Sequence, residues 1–166
     1  MKKISQKGQK WLKCLHIFSG SIWVGCAIAL TTMQFFINPS DGSELFGIVA
    51  TLDFIDQYIL VPGALGTLLT SLIYSIWTKW GWFKYNWIIV KWVICLLSIV
   101  FGTFWLGPWI SNMAEIAKIK GLGALSDLYY ISIRQNSMIF GTLQAFFIIF
   151  ALFISTLKPW RKRKNK

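Results

Sequence analysis

WLKCLHIFSGSIWVGCAIALTTMQFFI, residues 11–37, carries no charge after Lys13 and contains the chain's only histidine, His16. An apolar run of this length is too long for an ordinary strand, and it can cross a hydrocarbon layer as a helix, which takes about 20 residues. Asn38-Pro39-Ser40-Asp41-Gly42 follows and supplies turn chemistry that stops a helix. Three more apolar runs come after it, so spans are expected over 12–37, 53–78, 86–110 and 134–157. The sequence therefore predicts one all-α membrane domain, a four-transmembrane-helix bundle with short loops. Gly107-Pro108 is expected to close the third span, and an external interfacial helix is expected over 111–125.

Composition agrees with a lipid solvent. Only 14% of residues are charged, whereas a soluble domain uses about a quarter. The net charge of +11 raises the question of a nucleic-acid partner, but the basic residues sit in tails and short loops and form no continuous footprint. No nucleic-acid partner is expected. Cys14, Cys26 and Cys95 lie in apolar stretches without a CxxC pair and read as small buried hydrophobes. The first run exceeds an export-signal core and lacks a small-residue cleavage site, so it is expected to stay as a span. Four spans leave no length for a separate soluble domain.

The signs of the loop charges set a topology. Lys2, Lys3, Lys7, Lys10 and Lys13 precede the first span, KWGWFKY joins the second to the third, and a basic tail follows Leu157. Asp41, Glu44, Asp53, Asp56, Glu115 and Asp127 all fall toward the opposite face. The positive-inside rule then places both termini in the cytoplasm, where the basic ends meet anionic lipid.

Three sets of residues are candidates for chemistry. His16, Gly20 and Trp23 recur at helical spacing and share a face of the first span, near the cytoplasmic interface. A neutral imidazole there can ligate a metal, haem b included, or hydrogen-bond a quinone head; the alternative is an interfacial histidine bonded to a neighbouring helix. One histidine excludes a bis-histidine haem within one chain. A haem would need Met33, Met113 or Met138, five-coordinate iron, or a second copy in a homodimer, and those methionines are expected toward the other face. Pro62 is expected to bend the second span, with Gly63 and Gly66 admitting a close neighbour, and Lys91 to anchor the third by snorkelling. The second set is Asp53, Asp56 and Arg134, expected to pair at the outer rim. The third is Gln34 and Gln144, neutral polar groups inside spans that should face protein. Soluble catalytic templates are missing, so no catalytic residue is nominated.

LHIFSGSIWVGCAI, PGALGTLLTSLIYSIWTKWGWFKYNWIIVKW and WLGPWI together resemble the bacterial integral membrane proteins of the DUF2269 group. The resemblance covers most of residues 12–115. It implies a bacterial cytoplasmic (inner) membrane location and a shared face of His16, Trp23, Pro62 and Lys91, but no reaction. A more distant likeness to the membrane domain of copper-resistance D proteins rests on His16 and the Trp23–Gly25 neighbourhood, without the additional histidines and methionines of copper handling. Three functions follow as expectations. The first is a small ligand-binding or redox-associated module touching haem or quinone, the second an oligomeric transporter or channel component, and the third a noncatalytic subunit of a membrane complex.

Overall fold

A computed structural model describes residues 4–36, 38–78, 82 and 85–158. Lys2, Lys3, most of the basic connection at 79–84 and the tail from 159 lie outside the described residues, and with them their expected parts in topology and lipid anchoring. Helix α1 covers Gln6–Phe36. Helix α2 (Gly42–Ile55) passes through a π-helical turn, Asp56–Leu60, directly into α3 (Val61–Trp77). Helix α4 (Asn86–Phe101) likewise passes through a π-turn, Gly102–Leu106, into α5 (Gly107–Lys120) and a 3-10 turn, Gly121–Ser126. Helix α6 (Leu128–Leu157) completes the chain's four apolar runs. All four are long and apolar enough to cross a membrane, and the chain is a multi-pass helical bundle.

The second and third runs are longer than the sequence predicts. Gly42–Trp77 has 36 residues, which is about 54 Å of helix against about 30 Å of hydrocarbon. Its early start is explained by Asp41, whose carboxylate accepts from Glu44 N at 2.8 Å while Glu44 Oε2 accepts from Ser40 N at 2.6 Å. The first bond caps the helix terminus, and the second ties the preceding residue to its first turn. Pro108 does not close the third run, which continues to Ser126, so the segment expected as a separate interfacial helix extends that span. Proline clashes with the carbonyl four residues back and donates no hydrogen bond. In both runs a π-turn comes just before it: Val61 N–H reaches Asp56 O and Gly107 N–H reaches Gly102 O. The widened turn accommodates the ring without ending the helix.

The surplus length packs on itself. At the end away from the termini, Leu45, Val49 and Leu52 of α2 are buried with Met113 and Ala117 of α5, and Tyr130 of α6 joins them. Gly42 and Gly121 meet backbone to backbone there, where Gly121 takes a positive φ of 53°. At the terminal end α3 packs on α1 and α4 packs on α6, and α1 and α6 form the contact between the two pairs. Outward-facing Leu69, Leu97, Phe146 and Phe153 are more than 45% exposed, as suits side chains that meet lipid. Trp82 stacks on Trp92 with ring centroids 5.0 Å apart.

Candidate functional site

Where the two π-turns face α1 and α6, the bundle encloses a cavity of about 70 Å³. Its walls include Trp23 and Gln34 of α1, Asp56 and Ala64 of the second run, Ser98 and Gly102 of the third, and Ser137 and Gln144 of α6. Trp23 Nε1, Gln34 Oε1, Ser137 Oγ and Gln144 Oε1 are buried without a hydrogen-bond partner among the described residues. All four belong to this one wall. Buried polar groups elsewhere in proteins are nearly always bonded, so four such atoms along one cavity mark it as a candidate site.

Asp56 supplies the cavity's only acid. It is 8% exposed, begins the first π-turn, and has no salt bridge among the described residues. A Cβ built on Gly102 would stand 3.5 Å from Gln144 Nε2, and one on Gly107 would stand 3.3 Å from Asp56 Oδ2. At Gly102 that is ordinary contact, whereas Gly107, just after the second π-turn, leaves room that the carboxyl group uses. Two further lining residues, Val61 and Leu65, are 37% and 46% exposed on the outer surface. Thr103, from the third run, is also exposed and also lines the cavity.

The face expected to unite His16, Gly20, Trp23, Pro62, Gly66 and Lys91 divides. Trp23 enters the cavity. His16 lies nearer the terminal end, where its Nδ1 is 2.8 Å from Thr70 Oγ1 and its ring meets Tyr74 edge-on at 5.9 Å. Thr70 Oγ1 in turn lies 2.7 Å from Gly66 O and 3.0 Å from Thr67 O, so the imidazole is tied through Nδ1 to the backbone of α3. Gly66 and Gly63 serve helix contact: added Cβ atoms would meet Ser19 Oγ at 2.6 Å and Ile22 Cγ2 at 2.8 Å. Gly20 faces Thr67 at 3.8 Å on the same seam. Pro62 is exposed and acts through the backbone. Lys91, within electrostatic reach of His16, donates to Ser155 Oγ at 2.8 Å and is therefore tied to α6.

The outer cluster is not assembled as expected. Asp53 Oδ1 accepts from Ser111 Oγ at 2.6 Å and from Gln57 Nε2 at 3.0 Å, which joins α2 to α5. Arg134 pairs with neither Asp53 nor Asp56, since the salt bridge among the described residues is Lys120–Asp127. Arg134 instead lines a second cavity of about 20 Å³, with Leu45, Met113 and Tyr130. Gln34 borders both cavities and Gln144 borders the first, so the two intramembrane glutamines do face protein and share one site. Sequence reasoning did not single out Ser98 or Thr31 as lining residues, and it assigned Asp56 to the rim. The only available signal was the recurrence of a Leu-X-Pro step, Leu60-Val61-Pro62 and Leu106-Gly107-Pro108, each just after a π-turn.

Fold and site together define a class: a four-span integral membrane protein with a mostly apolar cavity and, in its wall, a buried acid without an ion-pair partner among the described residues. No family model, curated protein or solved structure matches this chain.

Proposed function

We propose that the chain is a ligand-binding module of the bacterial cytoplasmic membrane, with both termini in the cytoplasm and its basic ends on anionic lipid. Its cavity takes the polar head of a small lipid-soluble molecule. The observation that carries this reading is that four unpartnered buried polar atoms and one carboxyl group line a single cavity. Each such atom costs about 1–3 kcal/mol when left unmade, and a bound head group would recover that cost. Kinship with the DUF2269 group belongs to the same proposal, on the residues that carry the resemblance.

The haem version fits poorly. His16 is held by Thr70 and Tyr74 and does not line the cavity, and a cavity of about 70 Å³ is too small for a porphyrin. A metal-binding role for His16 also lacks partners, since no group of three His, Cys, Asp or Glu residues gathers among the described residues. A quinone head would meet the Trp23 and Ser137 donors through its carbonyls, but it brings no donor for Gln34 Oε1 or Gln144 Oε1.

A second reading, a component of a small-solute transporter, is supported by Gln34 standing between the cavity and the distal pocket of Arg134. Four spans are few for alternating access, so that reading requires a homodimer. Its mass in mild detergent tests it.

The binding reading is tested by photolabelling in membranes with an alkyl alcohol carrying a diazirine beside the hydroxyl. Labels are expected on peptides containing Trp23, Ser137 or Gln144, with loss in Ser137→Leu. Labels spread evenly over the lipid-facing residues would contradict it.

A further inference from the structure

We infer that the ligand head is a small organic ammonium, which enters the cavity as Asp56 releases a proton. This inference rests on the binding reading above and names the ligand's class. Three of the four unpartnered atoms, Gln34 Oε1, Ser137 Oγ and Gln144 Oε1, have acceptor lone pairs directed at no donor, and Asp56 adds a carboxyl group to the same wall. A primary ammonium has three N–H donors and no acceptor, so it can pair with the Asp56 carboxylate and still donate to an amide or hydroxyl oxygen of the lining, which a carbonyl-bearing head cannot do. Trp23, the aromatic side chain best suited to a cation, stands on the same wall.

Charge argues the same way. A carboxylate in a low-dielectric interior is costly unless something neutralises it, and no Lys or Arg pairs with Asp56 among the described residues. Without ligand a proton fills that role. When the ammonium arrives, the carboxyl O–H bond breaks, the proton leaves for the medium, and the ion pair keeps the cavity neutral. The charged and titratable groups around Asp56 are few. Asp53 lies on the same run and Cys26 on α1, both within electrostatic reach. The lining stretches of α3 and of the third run carry no charged residue. On α6, Arg134 is separated from the cavity by Gln34. The apolar tail passes out beside the exposed lining residues Val61 and Leu65.

The test compares octylammonium with octanol, equal in chain length, on the purified full chain in neutral-detergent micelles at mildly acidic pH. Wild type is expected to bind octylammonium at least tenfold more tightly and to release about one proton per ligand into weakly buffered medium. Asp56→Asn is expected to lose the preference and the proton release while still binding octanol. The proton count on wild type decides even if that variant does not fold. Equal affinity for the two ligands, or ammonium uptake without proton release, would overturn the inference and leave the binding reading standing. If neither ligand binds wild type, both fail.

Discussion

Asp56 Oδ2 rests against Gly107, at 3.3 Å from the point where a Cβ would stand. The acid that opens the π-turn of the second run therefore lies over the glycine that ends the π-turn of the third. A pair of prolines, each needing a widened turn to stay inside a helix, brings these two points together at the cavity wall. Function and fold share one device there, because the glycine that spares the π-turn a side chain also makes room for the carboxyl group.

Alanine at the close-approach glycines should grade with the contact each would make. Gly63→Ala would place a Cβ 2.8 Å from Ile22 Cγ2 and 3.1 Å from Trp23 N, and backbone cannot swing aside, so a loss of about 1–3 kcal/mol is expected. Gly107→Ala presses on Gly102 O at 3.2 Å and should also destabilise. Gly66→Ala would stand 2.6 Å from Ser19 Oγ and 3.1 Å from Ser19 Cβ; the hydroxyl can rotate but the Cβ cannot, so this variant should destabilise as well. Gly25 has nothing within 4 Å, so Gly25→Ala should leave stability unchanged or improve it. Thermal unfolding in one detergent ranks the four.

Removing the cavity's polar atoms should separate stability from binding. Gln34→Leu and Ser137→Ala each delete an unpartnered buried group, and a gain of about 1 kcal/mol is expected from the desolvation cost no longer incurred. Both should weaken ligand binding. Raised melting temperature together with retained binding would show that these groups do not face the ligand.

His16 is predicted to be structural. Thr70→Val deletes the partner of its 2.8 Å hydrogen bond and should cost about 1 kcal/mol without changing ligand binding. Protein from haem-supplied cells should be colourless, in wild type and His16→Ala alike. A Soret band that disappears in His16→Ala would refute this assignment.

Much of this was readable from residue order. The four apolar runs, the close contact at Gly63 and Gly66, and the inward-facing Gln34 and Gln144 follow from length, residue size and the cost of polarity in lipid. The helix ends did not. Asp41-Gly42-Ser43-Glu44 reads equally as a turn or as a capping box, and only the bonds between Ser40, Asp41 and Glu44 decide for the cap. Pro108 reads as a stop because a π-turn before it has no strong sequence signature. Arg134 was paired with the aspartates by charge and position along the chain, yet Ser111 holds Asp53 and the rotation of α6 turns Arg134 to a different pocket. Spacing on one helix likewise grouped His16 with Trp23, but about 10 Å of rise separates them, enough to place them beside different partners.

Acid should loosen the distal turn. Asp127 is held below the ordinary carboxylate range by the hydrogen bond from Lys120 and then by the backbone N–H of Tyr130. A depressed carboxyl group contributes stability that is fully present above its unfolded value and is lost as pH falls through its folded value. Amide exchange at Tyr130, which donates to Asp127 Oδ1 at 3.0 Å, should therefore gain protection as pH rises through the acid range, after correction for intrinsic rates. In Asp127→Asn that pH dependence should vanish.

Reaction of native membranes with a hydrophobic carbodiimide, which attacks protonated carboxyl groups it can reach from lipid, tests the account most directly. Peptide mapping should find the adduct on Asp56, absent in Asp56→Asn and suppressed by octylammonium. Labelling confined to Asp41, Glu44 or Glu115, with Asp56 unmodified, would contradict a lipid-accessible acid inside the bundle.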